Sequence, residues 1–337
     1  MSAPAAIALA DVKRARRAIA GHVRRTPIDP SPSLSGLVGA PVYLKLEHHQ
    51  ITGSFKLRGA TNAVLGLTDA EHKRGIVGVS TGNHGRALAH AARQASVPCV
   101  ICMSSLVPQN KIDGIRTLGA EVRIVGGSQD EAQHEVDRLV AEDGRIMVPP
   151  FDHPDIIAGQ GTLGLEILED FAEVETILVP VSGGGLVSGV AVAAKAIKPT
   201  VRVIGASMAR GAAMYESRRA GKPVAVAELA TLADSLGGGI GLDNRYTLAM
   251  VRELVDELVL VSEAEIAGAI RHAYREERQI IEGAGAVGIA ALKAARIPNP
   301  GVTVVVLSGA NIDMTLHNRI IGGEDVDVGA DQDTGAA

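Results

Sequence analysis

One lysine in this chain stands where it could act as a nucleophile. In Thr52-Gly53-Ser54-Phe55-Lys56-Leu57-Arg58-Gly59-Ala60, Lys56 sits among small residues at the head of a helical pattern that continues through Asn62, Ala63 and Leu65. The positive end of a helix dipole, with partial burial, favours the neutral amine. A neutral amine attacks carbonyls and forms Schiff bases. Taken alone, the same lysine could simply cover apolar surface with its stem. Three other segments carry residues suited to chemistry: Ser80-Thr81-Gly82-Asn83-His84-Gly85, Ser182-Gly183-Gly184-Gly185-Leu186, and Ser308-Gly309. The glycine run offers backbone N–H groups at a helix start, an anion site most often used for phosphate. It lacks the Lys-Ser/Thr of a Walker A loop, and counted from Gly183 the G-x-G-x-x-G spacing fails at Ser188. The following strand pattern ends in Gly205-Ala206-Ser207, without a carboxylate for a ribose, which disfavours a dinucleotide. The hydroxyls, amide and N–H groups at 80–85 suit a carboxylate or a ring oxygen, or only a helix cap. Ser308 is equally readable as a binding hydroxyl or a turn residue.

The elements around these segments alternate between strand and helix patterns. A basic amphipathic helix is expected over 11–22 with Asp11 as its cap, then a short helix at 31–37 and a strand at 42–47 leading into the lysine loop. Strands follow at 75–80, 99–103 and 121–125, with helices to Ser96, at 111–118 and at 129–143. After Pro149-Pro150 come a helix at 156–170, a strand at 176–181, the glycine turn and a helix to Ile197, and a strand at 201–206. Helices are read at 214–220, 246–255, 263–276 and 286–295, with a flexible glycine loop at 237–241 and a last strand at 302–307. Such alternation implies parallel sheets with helices on both faces. The three polar loops all fall at strand C-termini, where ligands of such sheets bind. The expected domains are 1–73 with 149–323 (large), 74–148 (small), and a disordered acidic tail at 324–337.

Composition narrows the function classes. The chain has 337 residues, 46% of them hydrophobic and 21% charged, an ordinary balance for a globular protein with an ample core. A net charge of -5 leaves no footprint for nucleic acid, and aromatics at 2% leave no stacking platform. No apolar run is long enough to span a membrane, and no basic region precedes the first apolar residues, so a cytoplasmic protein is expected. Cys99 and Cys102 have C-x-x-C spacing, but on a strand they point to opposite faces, so they read as core residues rather than a disulfide or metal pair.

Together, the Gly53–Ala60 run, Gly82-Asn83-His84, Gly183-Gly184-Gly185-Leu186 and Ser308-Gly309 resemble the pyridoxal-phosphate enzymes of fold type II, the tryptophan synthase β-like α/β fold. The nearest members are threonine/serine dehydratases and serine racemase, and the match covers about residues 11–320 in order. The resemblance implies two parallel-sheet domains with pyridoxal 5'-phosphate in the cleft between them. Lys56 would carry the cofactor and, once freed, act as general base. Phe55 would lie against the ring. Ser182, Gly183, Gly184, Gly185 and Leu186 would bind the phosphate, Asn83 the ring hydroxyl and Ser308 the ring nitrogen, with Glu282 also at the cofactor. Ser80, Thr81, Gly82 and His84 would hold the substrate carboxylate. The implied reaction is elimination of water from a β-hydroxy amino acid, giving a 2-oxo acid and ammonia. A homodimer is the family expectation.

Departures from the family pattern refine this reading. Ser182 replaces a glycine. Ser207 and Ala213 stand where metal-dependent relatives carry carboxylates, so no divalent ion is expected. Thr81 replaces the serine that racemases use as second proton donor, which favours elimination over racemisation. His48-His49 replace the usual Asn-Leu and are expected at the site entrance, and Arg86 reads first as a solvated helix residue, or else as an added cation for an acidic substrate. With residues 206–215 and 282–286, these features look most like the hydroxyectoine-utilisation dehydratase branch. The chain ends near the last motif, so no regulatory domain and no end-product inhibition are expected. The rival readings are a racemase of serine or a related amino acid, and a non-catalytic sensor on the same fold, against which an intact Lys56 argues.

Overall fold

The structure, a computed structural model, describes residues 7–329 except 81, 106, 108, 128 and 327. Ten strands form two sheets: β1 (Ile28–Pro30), β2 (Val42–Lys45), β3 (Ile76–Val79), β4 (Cys99–Met103), β5 (Glu121–Ile124), β6 (Ile146–Met147), β7 (Thr176–Pro180), β8 (Arg202–Met208), β9 (Glu257–Val261) and β10 (Thr303–Val306). The larger sheet runs β1-β2-β10-β7-β8-β9, and the smaller runs β5-β4-β3-β6. Among the described strands only β1 pairs antiparallel, so both sheets require helical crossovers.

Side-chain alternation sorts each sheet onto two cores. On the larger sheet Val305, Leu178 and Ile204 face one apolar cluster, while Val304, Val306, Ile177, Val179 and Val203 face the other. On the smaller sheet Cys99, Ile101 and Met103 face one side, and Val100 and Cys102 the other. Both thiols are free and buried, and burial raises them to about 12 and about 11. The C-x-x-C spacing is thus the trace of a strand covered on both faces.

The helix carrying Lys56, Lys56–Leu65, crosses the 17-residue helix Pro154–Asp170 at glycines. A Cβ on Gly159 would lie 2.6 Å from the Cα of Gly59. Only two glycines allow this approach, which sets the depth of the lysine helix in the molecule.

Several expectations need correction. The first helix is Leu9–Ala18, and Asp11 lies inside it, accepting the Ala8 N–H at 2.8 Å from the first turn rather than capping as its first residue. Strands β1, β6 and β9 and the helices Asp69–Arg74 and Met314–Ile321 were not foreseen. The segment expected as a disordered tail begins ordered: Val326 is buried in the main core, and the Arg271 Nη2 donates to the Glu324 carbonyl at 2.6 Å. Residues 327 and 330–337 of that segment lie outside the described residues.

Candidate active site

The turns that follow β3, β7 and β10 open onto one cavity of about 410 Å³ between the sheets. Lys56, the first residue of its helix, projects into it, and its Nζ donates to the Pro150 carbonyl at 2.7 Å. Burial pulls this amine down to about 8, partly opposed by the nearby Glu282 carboxylate. The turn before it is held by Phe55 N–H donating to the Ser308 carbonyl at 3.0 Å, and by the Ser54–Gly309 bridge. The Phe55 ring lies on the cavity wall with its centroid 5.4 Å from Nζ.

The glycine turn after β7 forms a second wall. Gly184 adopts φ +88 and precedes the helix Gly185–Ile197. A Cβ on Gly183 would fall 2.3 Å from the Phe151 ring. The N–H groups at this helix start have no intrahelical acceptor, so the bare backbone is open to an anion. Ser182 and Leu186 line the same wall.

The third wall is the turn after β3. Ser80 Oγ accepts from Gly82 N–H at 3.3 Å and Gly85 N–H at 3.0 Å, which shapes the start of the helix Asn83–Gln94. Asn83 donates from Nδ2 to Glu282 Oε1 at 2.7 Å. Glu282 is buried, and burial, reinforced by the Asp234 charge, raises its carboxyl to about 7. Ser308 lines the cavity, and among the described residues its Oγ has no hydrogen-bond partner.

Two expected substrate contacts require revision. His84 lines the cavity, but its Nε2 donates to the Val148 carbonyl at 2.9 Å, and burial lowers it to about 3. Its Nδ1 is therefore an unprotonated acceptor, unable to hold a carboxylate. What remains is its backbone N–H in the first helical turn. Arg86 is absent from the cavity wall; its guanidinium packs over Gly114, where an added Cβ would lie 2.4 Å from Nη2. Thr81 lies outside the described residues.

His48 and His49 also miss the cavity. Both direct Nε2 to Gln279 Oε1, at 2.8 and 3.1 Å, and burial lowers His48 to about 4. Among the described residues no cluster of three His, Cys, Asp or Glu could hold a metal. No described helix is long and apolar enough to cross a membrane.

Sequence reasoning missed the fourth wall. The loop around Asp234–Leu236, with Glu228 and Gly237–Gly239, closes the cavity, and Asp234 pairs with Lys111 of the smaller lobe at 3.0 Å. It also missed Asn311, which donates to Asn83 Oδ1 from its side chain and to Glu282 Oε2 from its backbone.

The cavity fits pyridoxal phosphate. The glycine turn supplies N–H groups without side chains, Lys56 supplies an amine for the aldehyde, and Ser308 supplies a free hydroxyl. Two parallel α/β sheets with such a lysine between them define a fold type II pyridoxal-phosphate enzyme. The chain belongs to the family described as "Pyridoxal-phosphate dependent enzyme", whose model matches residues 19–309. Within that family it is threonine ammonia-lyase-like. It is 59% identical over 318 residues to a Sinorhizobium fredii protein that carries the provisional name threonine dehydratase, covering 94% of this chain and 96% of that one. The L-threonine ammonia-lyase of Thermotoga maritima is 42% identical over 94% of this chain and 78% of its own. Among solved structures, maize serine racemase superimposes with a TM-score of 0.88 at 33% identity, covering 93% of this chain and 96% of that one.

Proposed function

We propose that this enzyme removes water from a β-hydroxy amino acid, releasing a 2-oxo acid and ammonia. The observation that carries the reading is Lys56, whose amine is lowered to about 8 and aimed into a cavity that also presents an anion-binding turn. When bound, pyridoxal phosphate supplies an electron sink for the pair left at Cα.

The chain's own residues do the rest. The N–H groups of Gly183, Gly184, Gly185 and Leu186, with Ser182, hold the phosphate. Asn83, with Glu282 behind its amide, would donate to the ring hydroxyl, Ser308 would meet the ring nitrogen, and Phe55 would lie against the ring. A hydroxyl at the ring nitrogen, rather than a carboxylate, would leave the bound cofactor a weaker electron sink, which suits prompt elimination. The first-turn N–H groups of Asn83 and His84, with Ser80, Thr81 and Gly82, receive the substrate carboxylate. Lys56 takes the Cα proton, the Cβ–O bond breaks, and the leaving hydroxyl takes up a proton, in net the one removed from Cα, and departs as water. The released enamine hydrolyses to the oxo acid and ammonia.

The finer assignment is a β-hydroxy amino acid formed in hydroxyectoine breakdown. Its support is the resemblance of residues 206–215 and 282–286 to that branch. The racemase reading is favoured by the close superposition on maize serine racemase. Incubating the protein with L- and D-threonine, serine, hydroxyaspartate and hydroxyectoine-derived diamines, with assay of ammonia and chiral analysis of recovered substrate, separates the two. Ammonia release from at least one is expected. D/L exchange outpacing oxo-acid release, or no turnover by cofactor-loaded protein, would overturn the elimination. A homodimer remains part of the proposal.

A further inference from the structure

We propose that Asn311 is a positioning residue that decides which end of the Asn83 amide faces the cofactor. The inference rests on the assignment of Asn83 to the ring hydroxyl. A carboxamide has a donating and an accepting end of nearly equal size, so its orientation is set only by its partners. Here the partners form a closed ring. Asn311 Nδ2 donates to Asn83 Oδ1 and also to the Thr52 carbonyl at 3.0 Å. The Thr52 carbonyl can only accept, so it fixes the Asn311 amide in turn. Asn311 N–H donates to Glu282 Oε2 at 3.0 Å, and Glu282 Oε1 accepts from Asn83 Nδ2 at 2.7 Å. The second hydrogen of Asn83 Nδ2 has only the long 3.5 Å contact to Ser235 Oγ and stays available on the cavity side.

Glu282 cannot fix the amide unaided. Its carboxyl is raised to about 7, so near neutrality a protonated fraction could donate to a flipped Oδ1. The neutral carbonyl of Thr52, acting through Asn311, has no such freedom. The ring and its Thr52 anchor join four separate parts of the chain: the lysine loop at Thr52, the helix start at Asn83, the helix start at Glu282 and the strand-end turn after β10. The orientation of the Asn83 amide is thus set, through Asn311, by the Thr52 carbonyl.

The test is pyridoxal phosphate titration of cofactor-free protein, followed by visible absorbance, for the parent, N83A, N311A, N311D and N83A/N311A. N83A and N311A should each weaken binding about tenfold, the loss of one hydrogen bond. The double variant should bind no worse than N83A, because Asn311 acts only through Asn83. N311D should bind worse than N311A, since a carboxylate would accept from Nδ2 and turn the Asn83 carbonyl toward the ring hydroxyl. Should N311A fail to fold, N311D and N83A/N311D keep the side-chain size at position 311 and carry the same comparison. Additive losses in the double variant, or an unchanged N311A, would overturn the proposal. An unchanged N83A would overturn the assignment of Asn83 itself, and the inference with it.

Discussion

Replacing Lys56 by methionine should stabilise the cofactor-free protein at neutral pH while abolishing turnover. Burial lowers the amine to about 8, against the 10.5 of a free lysine. Below pH 8 the folded state must hold an ammonium that the unfolded chain holds in water. That difference corresponds to about 3 kcal/mol. Methionine keeps the length and removes the charge, but forfeits the hydrogen bond to the Pro150 carbonyl, about 1 kcal/mol. The variant should therefore exceed the parent by about 2 kcal/mol at pH 7. Between pH 8 and 10.5 the folded parent binds fewer protons than its unfolded chain, so its stability rises with pH. The variant lacks this slope, and the two curves should cross, leaving the parent ahead by about 1 kcal/mol above pH 10.5. Urea unfolding of both cofactor-free proteins across pH 7 to 10.5 measures this. A variant less stable at pH 7, or a difference that does not change with pH, would refute the reasoning.

Two further substitutions probe the frame around the lysine. Gly183→Ala puts a Cβ 2.3 Å from the Phe151 ring, so the ring must move and the turn with it; pyridoxal phosphate affinity should fall at least tenfold, and an unchanged titration would show that the turn does not hold the phosphate. Arg58→Met leaves Glu47 and Glu166 buried without their shared guanidinium and should cost about 3–5 kcal/mol in chemical denaturation, whereas a loss below about 1 kcal/mol would show the network to be dispensable.

What could be read from the chain followed from periodicity. Runs such as Thr-Val-Val-Val in β10 and Cys-Val-Ile-Cys-Met in β4 identify themselves as buried strands, and the glycine and serine turns fall at their ends. Strand β9 was lost because Glu257-Leu-Val-Leu-Val follows a helix with neither proline nor glycine between them. The loop at 237–241 read as flexible on its glycines, yet the turn that leads into it is anchored across the cavity by the Asp234–Lys111 pair. The capture of the His84 ring could not be read, because the Val148 carbonyl that holds it is 64 residues away. Asn311 escaped for the same reason: its partners at 52, 83 and 282 are brought together only by the folded chain.

The placement of Lys56 and Arg58 on one helix accounts for how a flexible side chain is held to a fixed point. Two residues along a helix turn through about 200°, so the amine and the guanidinium leave it on opposite sides. Lys56 enters the cavity, while Arg58 enters the core and is fully buried. There its Nε and Nη2 engage Glu47 at 2.8 and 2.7 Å, and its Nη1 engages Glu166 at 2.7 Å. Lys45 Nζ completes the set by donating to Glu166 at 2.6 Å, so two cations face two anions. An apolar core could supply comparable stability, since desolvation offsets most of the attraction in such a network. What apolar contacts would not supply is a single permitted rotation of the helix about its axis. Six hydrogen bonds from one planar group do so, because turning the helix would break them together. The amine at its head is thereby fixed relative to the Ser308 turn and the glycine turn, and both the elimination and the racemase chemistry would need that register.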